Sequence, residues 1–127
     1  MWDVVNYREL IQLEQNDKVS ALGFVSKENL VVAAGRSVQS RNVVDGKSLS
    51  KFRAFRKYAD ALAVSPDQKL FAAGSRDGLV RVWDSVTGRE LREYEWNVGE
   101  IREIAFSPDG ATAAAAGISA VVVWDLD

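Results

Sequence analysis

The tripeptide Ser65-Pro66-Asp67 returns as Ser107-Pro108-Asp109. Such a recurrence constrains a fold more than any single motif does. Self-similarity at a period of about 20–50 residues means one supersecondary unit stacked on copies of itself. The surroundings of each tripeptide repeat as well. An alternating run precedes it, Ala61-Leu62-Ala63-Val64 in one case and Ile101-Arg102-Glu103-Ile104-Ala105-Phe106 in the other. Ser20-Ala21-Leu22-Gly23-Phe24 fills the same slot earlier, with Lys27-Glu28 in place of Pro-Asp. A small apolar run closed by Gly35, Gly74 or Gly117 follows each. Then comes a run ending in aspartate: Asn42-Val43-Val44-Asp45, Val80-Arg81-Val82-Trp83-Asp84 and Val121-Val122-Val123-Trp124-Asp125, with Trp2-Asp3 as a fourth copy. Asp3, Asp45, Asp84 and Asp125 follow one another at nearly even intervals.

Within a unit the pattern is that of short strands. Runs rich in Val, Ala, Phe and Trp are bounded by Pro-Asp, Asp-Gly and Thr-Gly turn signals. Asp77-Gly78 between two apolar runs marks a hairpin, because a tight turn there needs positive φ. The alanine-rich run 111–116 has helical propensity, yet its place in the repeat predicts a strand. Four strands, a to d, in about 40 residues predict a blade of a β-propeller.

Ser65-Pro66-Asp67, Ala72-Ala73-Gly74-Ser75-Arg76-Asp77-Gly78, Val80-Arg81-Val82-Trp83-Asp84 and Thr87-Gly88-Arg89-Glu90-Leu91 resemble a WD40 repeat. The resemblance covers essentially the whole chain, most closely over 60–96, then 101–125, and least over 19–58. In that weakest repeat Val44 stands in the tryptophan's place, and the turn after Asp45 is shorter than the one after Asp84. The resemblance implies structural roles for Asp77, Trp83, Asp84, Trp124 and Asp125. The chain has no histidine, so Asp77 and Trp83 supply only two members of the family's Asp-His-Ser/Thr-Trp network. The resemblance also implies a platform for protein partners, using the face built from the d–a and b–c loops and the start of strand a. Ser20, Arg36, Asp60, Arg76, Arg102 and Ser119 occupy that face, with Arg56 and Lys57 beside it.

The expected architecture is all-β: a partial WD40-like propeller over 1–127, of about three four-stranded antiparallel blades. A leading strand d lies in 1–16, with Leu10-Ile11-Gln12-Leu13-Glu14 matching Leu91-Arg92-Glu93-Tyr94-Glu95. Blade 1 spans 17–58, blade 2 spans 59–98, and strands a to c of blade 3 span 99–127. Three blades fall short of the roughly 4–8 of a closed ring. The ring is therefore expected to be completed by other chains. A homodimer is favoured and a trimer is possible, with a complementary propeller chain as the other partner expected; the alternative is that the chain is a C-terminal structural part of a larger propeller.

Composition narrows the chemistry. Without cysteine or histidine, thiolate chemistry, the usual catalytic dyads and the commonest transition-metal ligands are gone. No phosphate-binding glycine-rich loop or Gly-x-Ser-x-Gly elbow is present. Asp67, Asp77 and Asp109 recur at repeat spacing and read as turn-bonding carboxylates. No catalytic, cofactor or metal site is expected, and no membrane span. A non-enzymatic, cytoplasmic module is the expectation. Charge is uneven: residues 47–60 carry Lys47, Lys51, Arg53, Arg56 and Lys57 against Asp60 alone, whereas 61–127 carry six basic and eleven acidic residues. Arg53, Arg56 and Lys57 are thus candidates for docking an acidic surface. Phe52, Phe55 and Tyr58 interleave with them as in a nucleic-acid stripe, but the net charge of −2 disfavours that partner.

Overall fold

A computed structural model describes residues 2–3, 8–9, 12–13 and 17–126. Every regular element among them is a strand. β1 (Trp2–Asp3) and β2 (Arg8–Glu9) form a small antiparallel pair. β3 (Val19–Phe24), β4 (Asn29–Ala34), β5 (Ser37–Asn42) and β6 (Ser48–Lys51) make one four-stranded sheet in sequence order. β7 (Ala59–Val64), β8 (Leu70–Ser75), β9 (Leu79–Asp84) and β10 (Glu90–Glu95) make a second. β11 (Glu103–Phe106), β12 (Thr112–Ala116) and β13 (Val121–Asp125) make the third. All pairings are antiparallel, as expected for WD40 blades. The alanine-rich run is strand β12: pairing with β11 and β13 overrides its helical propensity. Of the strand expected at 10–14, residues 10, 11 and 14 lie outside the described residues.

The Ser-Pro-Asp turns show why the motif recurs. Ser65 Oγ donates to Asp67 Oδ1 (2.7 Å), which also accepts from Lys69 N (2.9 Å), and Leu70 N donates back to Ser65 Oγ (3.0 Å). Ser107, Asp109, Ala111 and Thr112 repeat these three bonds. Each carboxylate accepts turn donors, which holds the Asp67 and Asp109 pKa values below their ordinary 3.8.

One expected correspondence is wrong. Asp84 Oδ1 closes the turn after strand c by accepting from Val86 N and Thr87 N. In the first sheet the acceptor of the matching bonds, from Val44 N and Asp45 N, is Asn42 Oδ1. Gly46 N bonds Asn42 O as Gly88 N bonds Asp84 O. Asn42, not Asp45, therefore ends that strand. Arg41 then stands where Trp83 does, and the two turns have equal length. An amide supplies the same acceptor oxygen as a carboxylate, so a search for aspartate missed it. In β1 and β2, Trp2 pairs with Glu9 just as Trp83 pairs with Glu90 in the second sheet.

The sheets pack face on face, with β7 touching both β3 and β11. Between the first two lie Val31, Ala33 and Val38 against Phe71, Ala73 and Trp83. Phe71 and Trp83 stack at 5.0 Å, and Phe52 closes on both. Between the second and third lie Ala72, Val80 and Val82 against Ile101, Ile104, Ala113, Ala115 and Trp124. Tyr94 and Trp96 stack at 4.9 Å beside Trp124. Alternation explains the split: Phe71 and Ala73 face one neighbour, Ala72 the other. Small residues let the sheets approach. A Cβ on Gly74 would overlap Ile101 Cγ2. On the far side of the first sheet, Leu13 packs against Leu30, Val32, Ala34 and Val43.

Candidate interaction face

Antiparallel order puts the b–c turns and the d–a connections at one end of the strands, and the a–b and c–d turns at the other. The connection from β6 to β7 is bonded into both sheets. Phe55 N donates to Arg36 O (2.7 Å) and Ala59 N to Gly35 O (2.9 Å) in the β4–β5 turn. Arg76 N donates to Tyr58 O (2.9 Å), and Arg56 N to Asp77 Oδ2 (3.1 Å), in the β8–β9 turn. Asp77 Oδ1 meanwhile accepts from Ser75 Oγ and Leu79 N. The backbone of 55–59 is thereby fixed, while Arg56, Lys57 and Tyr58 are exposed at the surface.

These side chains border a recess of about 600 Å³, together with Asp17, Gly35, Arg36, Arg76 and Glu100. Arg76 Nε pairs with Asp60 Oδ2 at 2.5 Å and its guanidinium lies over the Tyr58 ring at 5.1 Å. The Asp60 carboxylate raises the Arg76 pKa. Among the described residues no carboxylate pairs with Arg36, Arg56 or Lys57. A smaller recess of about 190 Å³ adjoins, with Lys18, Ser20 and Asp60 on its walls.

Of the residues read from the sequence, Arg36, Arg56, Lys57 and Arg76 come together here, with Ser20 and Asp60 next to them. Arg53, Arg102 and Ser119 do not line either recess. Arg102 lies 3.9 Å from Glu100. Arg53 points to the outer strand β10, paired with Glu93 and, at 3.1 Å, with Glu90. Asp17 and Glu100 were missed. Ahead of each strand a, Asp17-Lys18, Lys57-Tyr58 and Gly99-Glu100 occupy matching positions, and all but Gly99 border these recesses.

Arg81 was also missed as more than a repeat position. Its side chain is 6% exposed. Nε donates to Glu93 Oε2 (2.7 Å), and Nη1 to the carbonyls of Arg53 (2.9 Å) and Ala54 (3.0 Å). Its guanidinium covers the Phe55 ring at 4.4 Å. A charge flanked by Val80 and Val82 in a buried strand needs such partners, which was the available signal.

No group of three or more acidic residues among the described residues is arranged to hold a metal. No described helix is long and apolar enough to cross a membrane. Residues 46–84 match the family model of the WD domain, G-beta repeat. The chain is 37% identical over 93 residues to small ribosomal subunit protein RACK1y of Oryza sativa subsp. japonica, covering 72% of this chain and 27% of that protein. It is 30% identical over 113 residues to the serine-threonine kinase receptor-associated protein of Homo sapiens, covering 87% of this chain and 31% of the other. The aligned part is thus under a third of either relative. Recurrent turns, repeated c–d register, face-packed antiparallel sheets of three and four strands and these matches agree: the chain belongs to the WD40-repeat family.

Proposed function

We propose that the chain is a non-catalytic protein-interaction module that engages partners through the end of the sheets bearing the b–c turns and d–a connections. The observation carrying this reading is the recess whose Arg36, Arg56 and Lys57 are held on a fixed backbone without a described carboxylate partner. Fixed geometry lowers the ordering cost of binding, and unpaired arginines suit carboxylates on a partner. The family and the relatives support a platform role, and the names of the relatives bring ribosomal and kinase-receptor assemblies into range as settings. The test is affinity capture followed by mass spectrometry, with the parent and two charge-reversed variants. Arg36→Glu with Arg56→Glu should lose the captured proteins. Lys47→Glu with Lys69→Glu, at the opposite end of the strands, should keep them. Equal capture by both variants overturns the reading.

A second reading concerns assembly. The outer face of the third sheet exposes Val121 and Val123, each about two-thirds accessible, beside half-buried Ala114 and Ala116. Such a face favours another sheet packed on it, here proposed to come from a second copy. A solution mass of twice that of the chain is expected, and a monomer across all concentrations refutes it.

A further inference from the structure

We infer that the recess at the first sheet–sheet junction takes an acidic peptide segment, two or more Asp or Glu side chains on one partner strand. This deepens the interaction-module reading and rests on it. Three features carry it. The first is charge: Arg36, Arg56 and Lys57 border one space, and no described carboxylate pairs with any of them. Arg76, by contrast, already holds Asp60. The second is shape. About 600 Å³ lies within the range of sites that bury a drug-sized ligand, about 300–1,000 Å³. The cations sit on two different segments, the β4–β5 turn and the 55–59 connection. That spread suits several carboxylates along a chain, not one compact anion.

The third feature is the rim. Asp17 and Glu100 border the same recess from the segments before β3 and β11. Acidic groups flanking a basic centre limit the length of acidic chain accepted to a short segment. They also give the test a gain of function that a misfolded variant cannot mimic.

The probe is a fluorescein-labelled hexaglutamate peptide, titrated by anisotropy at low salt, with hexalysine as control. Arg36→Ala, Arg56→Ala and Lys57→Ala should each weaken hexaglutamate about fivefold, as loss of one charge-assisted contact would. Lys47→Ala and Lys69→Ala should bind as the parent does. Asp17→Asn with Glu100→Gln should tighten binding several-fold, and added salt should weaken it throughout. Absence of hexaglutamate binding overturns the inference, as does binding indifferent to Arg36, Arg56 and Lys57. Displacement by inorganic phosphate, beyond that by potassium chloride of equal ionic strength, overturns it in favour of a phosphate site. Proteins captured through this face without hexaglutamate binding would sink the acidic-peptide inference and leave the interaction-module reading standing.

Discussion

Arg81→Met should cost about 3 kcal/mol of stability. Methionine keeps much of the aliphatic stem and removes the guanidinium. The main-chain carbonyls of Arg53 and Ala54 then lose a charged donor at 2.9 and 3.0 Å, each such bond worth about 1.5–3 kcal/mol. The cation over the Phe55 ring at 4.4 Å adds about 0.5–2 kcal/mol. Glu93 contributes little to the sum, because it is 37% exposed and keeps Arg53 as a partner. Contributions on one side chain overlap, so the total lies below the sum of the parts. Urea denaturation of parent and variant measures it, provided the slope with denaturant is unchanged. A double-mutant cycle with Glu93→Gln separates the ion pair from the carbonyl bonds. A coupling under about 1 kcal/mol is expected for so exposed a carboxylate. Arg81→Met within about 0.5 kcal/mol of the parent would refute a stabilising role for these Arg81 contacts. Because Arg81 holds the segment entering Phe55 and Arg56, the variant should also bind hexaglutamate more weakly than the parent.

Trp83→Ala should lower stability by about 3–5 kcal/mol in the same denaturation assay, since Trp83 is fully buried against Phe71 and Phe52. Gly74→Ala should cost about 1–3 kcal/mol, because its Cβ meets Ile101 and one sheet must retreat. A parent-like melting temperature for either would contradict the packing described here. Acid should unfold the chain partly through Asp67, Asp84 and Asp109, whose folded pKa values lie below the ordinary 3.8. A depressed folded pKa contributes stability above the unfolded value, and this is lost as pH falls through and below 3.8. Asp67→Asn with Asp109→Asn should flatten the stability–pH curve in that window while leaving its shape near neutrality unchanged.

Much of the architecture was legible because repeat spacing and turn residues express the same hydrogen bonds in each sheet. Ser65 and Asp67 announce their turn, and Ser107 and Asp109 repeat it. The misplacement of the first strand c has a chemical cause: Asn42 offers the same oxygen as Asp84 under a different letter. The proposed interaction face was half legible. Arg36 and Arg76 follow from the positions of the turns, but which cations are already engaged is a matter of distance across sheets. Arg53 and Arg56 stand close together in one basic run. One is bound to Glu90 and Glu93, whereas the other borders the recess. Sequence has no term for that difference, since Glu93 is 40 residues from Arg53.

The two junctions between sheets are built from separate aromatic trios, Phe52-Phe71-Trp83 and Tyr94-Trp96-Trp124. In the language of a one-dimensional array, each sheet has an intrinsic free energy and each junction a nearest-neighbour coupling. The middle sheet shares both couplings, and its two faces are lined by alternate residues of the same strands. Substitutions at Phe71 or Trp83 therefore alter one coupling, and those at Ala72 or Val82 the other. The recess straddles the first junction. Drift in the second coupling touches the recess directly only at the rim residue Glu100 and reaches Arg36 and Arg56 only through the middle sheet, so the Trp124 side can vary while the geometry around Arg36 and Arg56 is retained.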